Sequence, residues 1–221
     1  MANFNTHLGV ATVAGVVTAG LGYQAALWPW TSAFTVAGLV ALGGILPDID
    51  ADNSHAVRLM FTVLAILCVV IMVVMYQPHL QTSWLLGAAV LTFVGVRYLA
   101  SRVFKRFSVH RGIWHSLLAG GVSGCSVAAL SFQLFAQPPA QSWCYGLALF
   151  IGVCVHLLLD ECYSIDLVGS RVKRSFGTAF KLFDYSKPAS AVLMLLAFAA
   201  LVPWLPPWQA LLALVQHTIS L

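Results

Sequence analysis

The chain has 221 residues, of which 60% are hydrophobic and only 8% charged, against about 25% charged in an ordinary soluble domain. A mean hydropathy of +0.89 leaves too few polar groups to cover a water-soluble surface, which excludes a soluble enzyme, a disordered chain and a DNA-binding domain. The formal charge of +4, from 11 basic and 7 acidic residues, reads as a set of membrane-topology determinants and not as a nucleic-acid surface.

A helix crosses about 30 Å of hydrocarbon with about 20 apolar residues. Seven segments are predicted to do so, over 7–27, 31–47, 56–76, 83–101, 115–135, 143–160 and 188–205. The fold class is therefore all-α, a polytopic bundle of about seven transmembrane helices. The second segment is short and carries Gly43 and Gly44 near its end. The first lacks the basic leader of a cleavable signal peptide. Residues 207–216 are too short to span and read as an interfacial helix or a capping turn. Residues 1–206 are thus taken as one membrane domain, with a polar loop at about 161–187, and 207–221 as a short interfacial tail. No internal repeat is evident.

Charge falls on one side of this arrangement. The connections at 28–30, 77–82 and 136–142, and the tail after Pro206, contain no Asp, Glu, Lys or Arg. The alternate connections hold Arg102, Lys105 and Arg106, then Arg171, Lys173, Arg174, Lys181 and Lys187. The excess of Lys and Arg makes that side cytoplasmic, so the N-terminus is inside and the C-terminus outside. Trp28, Trp30, Trp84, Trp143, Trp204 and Trp208 lie at the uncharged ends and read as an interfacial aromatic belt. Runs of small residues, such as Gly9, Ala14, Gly15, Gly20 and Gly22, let helices approach closely. The five cysteines (Cys68, Cys125, Cys144, Cys154 and Cys162) form no CxxC pair and read as small apolar residues.

The histidines and aspartates carry the chemistry. His7 opens the first span. Asp48 and Asp50 follow the second in Leu46-Pro47-Asp48-Ile49-Asp50. His110, Arg111 and His115 precede the fifth, and His156 and Asp160 close the sixth. The topology places all of them at the cytoplasmic ends of helices, although it was drawn from Lys and Arg alone. His156 and Asp160 are four apart and share a helix face, so they can reach one metal ion or orient one another. Four histidines and three carboxylates suit Zn²⁺, Mn²⁺ or Fe²⁺ better than Ca²⁺. Seven candidate ligands exceed the needs of one tetrahedral ion and suit two ions about 3.5–4 Å apart.

Such a site can hydrolyse an ester. A divalent ion lowers the pKa of water and makes a nucleophile available near neutral pH. Arg111 offers a planar fork for phosphate, with Lys173 and Arg174 as further anion-binding candidates. Asp50 or Asp160 could serve as general base instead of ligand. His55 adjoins the aspartates, Glu161 and Asp166 are candidates for supporting roles, and Arg58 and Arg97 read as snorkelling anchors or partners of the aspartates. His79 and His217 fall on the outer side. There is no HExxH, GxSxG or phosphate-binding glycine loop. Two other readings use the same residues: a transporter of metal ions or protons, and a membrane scaffold with a structural metal.

In combination and order, His7, the segment 46–50, the segment His110-Arg111-Gly112-Ile113-Trp114-His115-Ser116 and the pair His156 and Asp160 resemble the YdjM-like family. These are bacterial inner-membrane proteins described as metal-dependent hydrolases, some of them as LexA-binding. The resemblance spans roughly positions 3–187. It implies a metal site of His7, Asp48, Asp50, His110, His115, His156 and Asp160, and a distant similarity to zinc-dependent phospholipase C and nuclease-type enzymes. Trp114 departs from the pattern, where a smaller residue is expected. The sequence shows no repressor-binding module. The expectation is a phosphoesterase of the inner membrane that uses Zn, with Mn or Fe as alternatives. Its substrate would be a phospholipid or a lipid-linked phosphate, with no nucleic-acid partner and an oligomeric state left open.

Overall fold

The computed structural model describes residues 3–50, 55–107, 114–166, 171–172, 180–183, 185 and 188–220. Among them the regular secondary structure is helical apart from one two-residue antiparallel ladder, β1 (Ile165–Asp166) on β2 (Arg171–Val172). The chain divides into two compact units, one of residues 1–47 with 113–221 and one of residues 48–112.

The larger unit begins with α1 (Phe4–Gln24), started by Asn3, whose side chain accepts from the Thr6 amide at 2.8 Å. Its inward stripe is small: Ala11, Gly15, Ala19 and Gly22 are buried below His7, while Val13, Val16, Val17 and Leu21 point outward. Lipid tails are as apolar as leucine, so burying large side chains gains little there and close backbone contact decides the packing. A turn leads to α2 (Trp30–Gly43), which lies on α1 with Val36 and Val40 fully buried. A second hairpin follows the same plan, from α6 (Leu117–Gln133) to α7 (Pro139–Cys162). It carries His115 just before its first helix, as the α1–α2 hairpin carries His7 at the start of α1. The two hairpins meet through α2 and α7, with α7 inserted between α2 and α6.

Both hairpin turns force an alanine into the left-handed region. Ala26 has φ 53° and Ala136 φ 48°. Each closes a helix with a wide backbone bond, Leu27 to the Gly22 carbonyl at 2.9 Å and Gln137 to the Ser131 carbonyl at 3.1 Å. Glycine is the usual residue there, because a left-handed conformation costs an L-residue about 1–2 kcal/mol. Ala26→Gly and Ala136→Gly should each raise stability by up to about 1 kcal/mol, after the larger unfolded-state entropy of glycine is deducted. Thermal unfolding in detergent would read this, and a lower Tm in both variants would contradict the capping assignment.

The unit closes with α8 (Pro188–Leu201), a short 3-10 turn at Val202–Trp204, and α9 (Trp208–Ile219), which departs from α8 by 96°. Pro203, Pro206 and Pro207 stop one helix and start the next. A 3-10 turn (Pro47–Asp50) leads into the smaller unit, which holds α3 (His55–Tyr76), α4 (Thr82–Val94), a π-helical stretch (Gly95–Ala100) and α5 (Ser101–Phe107). Here α3 packs on α4, and Phe61 meets Phe104 with ring centroids 5.5 Å apart. The Ser101 hydroxyl donates to the Arg97 carbonyl at 2.7 Å, bracing the widened turn.

The count of seven spans is not confirmed. Among the described residues four helical segments are long and apolar enough to cross a membrane (Phe4–Gln24, Val57–Tyr76, Thr82–Phe104 and Pro139–Cys162), or five if the bent pair around Pro206 counts as one. The predicted spans 31–47 and 115–135 are helices of only 14 and 17 residues, because Gly44 and Pro47 end the first and Ser116 caps the second late. Two of the tryptophans assigned to the aromatic belt are engaged by neighbouring helices. Trp143 is buried, donates to the Pro207 carbonyl at 3.2 Å and packs on Trp208. Trp28 donates to the Ala19 carbonyl at 3.1 Å. Both are fixed by the packing, whereas Trp30, Trp84 and Trp204 are exposed.

Candidate metal centre

Three buried side chains from two helices meet at one end of the larger unit. His7 occupies the first turns of α1, at the head of its small-residue stripe. His156 and Asp160 stand one turn apart near the end of α7, and the two helices run in opposite directions. Nε2 of His7 lies 3.2 Å from Oδ1 of Asp160, and Nε2 of His156 lies 3.8 Å from Oδ2 of the same carboxylate. The second distance is too long for a hydrogen bond. The His7 and His156 rings stack with centroids 3.8 Å apart and planes inclined by 14°. His7, His156 and Asp160 are no more than 2% exposed.

A fourth side chain stands beside them. His115 is buried, and its ring lies edge-on to that of His156 at 5.5 Å. Its position follows from the start of α6. Ser116 is extended and caps the helix by accepting from the Ala119 amide at 3.3 Å. The Leu117 and Leu118 amides donate to the Lys181 and Leu182 carbonyls, both at 3.0 Å. The chain at 180–183 thus ties down the helix start next to His115.

The protonation pattern fits a cation. Nδ1 of His156 is 2.7 Å from the Gly44 carbonyl. A carbonyl only accepts, so Nδ1 carries a hydrogen, and a ring that is neutral in this tautomer has its Nε2 lone pair toward the Asp160 carboxylate. Nε2 and the carboxylate would then be two acceptors facing a common point. Charging both stacked rings would place two cations 3.8 Å apart in a dry site. One ligand atom from each of His7, His156 and Asp160 lies within 4.8 Å of the others, and two imidazoles with one carboxylate suit Zn²⁺, Mn²⁺ or Fe²⁺. The Gly44 carbonyl takes the part that a backbone oxygen plays behind many metal-binding histidines, holding the ring and its tautomer.

Of the seven predicted ligands, the larger unit brings together His7, His115, His156 and Asp160. Asp48 is half-buried in the 3-10 turn that Pro47 starts and Asp50 ends. The side chains of Asp50 and His55 lie outside the described residues, as do His110, Arg111, Lys173 and Arg174 entirely. His217 belongs to the opposite end of the unit, where Nε2 donates to the Ala25 carbonyl at 3.1 Å. The Arg97 guanidinium lies 5.2 Å from the centre of the neighbouring Tyr98 ring. Sequence reasoning missed the Gly44 carbonyl, whose only signal is the pair Gly43-Gly44 just before the Leu46-Pro47-Asp48 segment.

A family model for the YdjM inner membrane protein matches residues 1–202. The chain belongs to the YdjM inner membrane protein family. No curated protein and no solved structure matches it. Membership of the YdjM family agrees with the long apolar helices in making this a membrane protein. The match runs through every segment that supplies the YdjM chain's cluster, from His7 to Asp160.

Proposed function

We propose that this YdjM-family chain is a membrane-embedded, metal-dependent hydrolase, a phosphoesterase whose substrate is a phospholipid or a lipid-linked phosphate at the cytoplasmic face. The observation that carries the reading is the buried triad of His7, His156 and Asp160, with two ring nitrogens and a carboxylate around one point. Ionisable groups within a membrane protein are costly and usually serve function. A bound divalent ion would supply a hydroxide nucleophile near neutral pH. His7 and His156 would hold it through neutral rings and Asp160 would balance its charge. In this reading His115 extends the ligand set, together with Asp48, Asp50 and His110, to two ions. Asp50 or Asp160 would take the proton from water. Arg111, with Lys173 and Arg174, holds the phosphate.

The near-complete burial of the triad also favours a second reading, a closed structural ion in a non-catalytic scaffold. One preparation separates the two. Protein purified in mild detergent should carry at least one Zn, Mn or Fe per chain by elemental mass spectrometry, and less in His115→Ala. Loaded with that metal, it should cleave at least one member of a panel of phospholipids and lipid phosphates, and Asp50→Ala should not. Metal without cleavage of any panel member would support the scaffold. Absence of metal after reconstitution with each ion would remove both and leave proton transport to be measured in proteoliposomes.

A further inference from the structure

The hydrogen bond from His156 to Gly44 needs an unusual approach of two helices. A backbone oxygen at the end of α2 must come within 2.7 Å of a ring nitrogen on α7. Three glycines make this possible. A Cβ on Gly152 would sit inside the van der Waals shell of the Val40 carbonyl and 2.9 Å from Cα of Gly43. One on Gly43 would overlap the Leu149 carbonyl and lie 3.0 Å from Cα of Gly152. One on Gly44 would overlap Cβ of Ala11 on α1. None of these glycines has a positive φ, so space and not backbone freedom explains them. The obstructing atoms at Gly43 and Gly152 are backbone, which cannot rotate away.

We propose that the Gly43–Gly44–Gly152 junction is the positioning device of the site: it brings the Gly44 carbonyl onto Nδ1 of His156, and so commits the ring to present Nε2 toward Asp160. The inference deepens the metal-centre reading and rests on it for its functional meaning. Its physical content is independent. Helix ends leave carbonyls without intrahelical partners, and the junction assigns one of them to this ring. His156 is fully buried, so water does not compete for Nδ1. Loss of a partner that orients a metal-binding histidine weakens metal binding by about ten- to a hundredfold.

The test is a long-range proton–nitrogen correlation spectrum of metal-free, full-length protein carrying ¹⁵N-histidine, in detergent and mildly alkaline buffer. The His156 signals are assigned by their loss in His156→Gln. The expected result is the Nδ1–H tautomer in the wild type, its retention in Gly22→Ala, and a mixture or the Nε2–H tautomer in Gly152→Ala. Gly22→Ala disturbs packing against Trp28 at the far end of the unit. A merely structural role for Gly152 would lower stability in both variants and leave the tautomer alone. Zinc titration should show binding about ten- to a hundredfold weaker in Gly152→Ala. An Nε2–H ring in the wild type overturns the inference even if Gly152→Ala does not fold, and so does a folded Gly152→Ala that keeps both tautomer and affinity. An Nδ1–H wild type that binds no metal supports the junction and defeats the metal-centre reading, so the two failures remain distinct.

Discussion

Asp160→Asn should abolish stabilisation by zinc. The carboxylate touches both histidines of the triad, at 3.2 Å from His7 and 3.8 Å from His156, and it is the triad's only negative charge. Asparagine keeps the shape, so the packing around the last turns of α7 is retained. Its amide oxygen is neutral, and its NH₂ group would point a donor where the cation should lie. Partners that only orient a ligand are worth about ten- to a hundredfold in affinity, so loss of a ligand should exceed a hundredfold. In thermal unfolding, zinc at about 100 times its Kd stabilises a protein by about 2.7 kcal/mol. The wild type should show that gain and Asp160→Asn should show none. Far-UV circular dichroism of the metal-free variant separates loss of metal from loss of fold. If the variant is stabilised by zinc as strongly as the wild type, the triad does not hold the ion.

Why the site was legible in the sequence, and the span count was not, comes down to what each depends on. His7 stands more than a hundred residues before His115, His156 and Asp160, yet the partition of charge put all four at one end, and they meet there. That reading needed only the sidedness of Lys and Arg and the four-residue step from His156 to Asp160. Span counting needs helix length, which the hydropathy of 31–47 and 115–135 overstates. In the first segment the helix stops at Gly43, and in the second it starts only after Ser116. Neighbouring helices cover these short elements, so apolar residues continue past the helix end: Ile45 is fully buried although it lies beyond α2. Trp143 misled for a related reason. A tryptophan near a helix end reads as an interfacial anchor, and nothing in its own sequence neighbourhood announces the Pro207 carbonyl, 64 residues away, that binds its indole. The Gly44 carbonyl is harder still, since a backbone acceptor leaves no mark in the side-chain pattern.

Close backbone contact also governs the second large effect, at the other face of α7. A Cβ on Gly146 would lie 2.5 Å from the Gly124 carbonyl oxygen and 3.0 Å from Cβ of Ala128, and one on Gly124 would lie 2.8 Å from the Gly146 carbonyl oxygen. The two helices therefore touch through backbone. In lipid this contact is what holds α6 on α7, because separated helices lose little by facing acyl chains. Gly146→Leu should push the helices apart and cost about 3 kcal/mol, the upper part of the usual range for overpacking, and Gly146→Ala should cost less. Gly121 on α6 has nothing within 4 Å of its virtual Cβ, so Gly121→Ala should be neutral or stabilising by about 0.5–1 kcal/mol through helix propensity. Thermal unfolding of the three variants in one detergent gives the order directly. Since His115 is carried at the start of α6, Gly146→Leu should also weaken zinc binding, and Gly121→Ala should not. Equal stability of Gly146→Leu and Gly121→Ala would mean that α6 does not rest on α7 through these glycines, and the placement of His115 beside His156 would then need another cause.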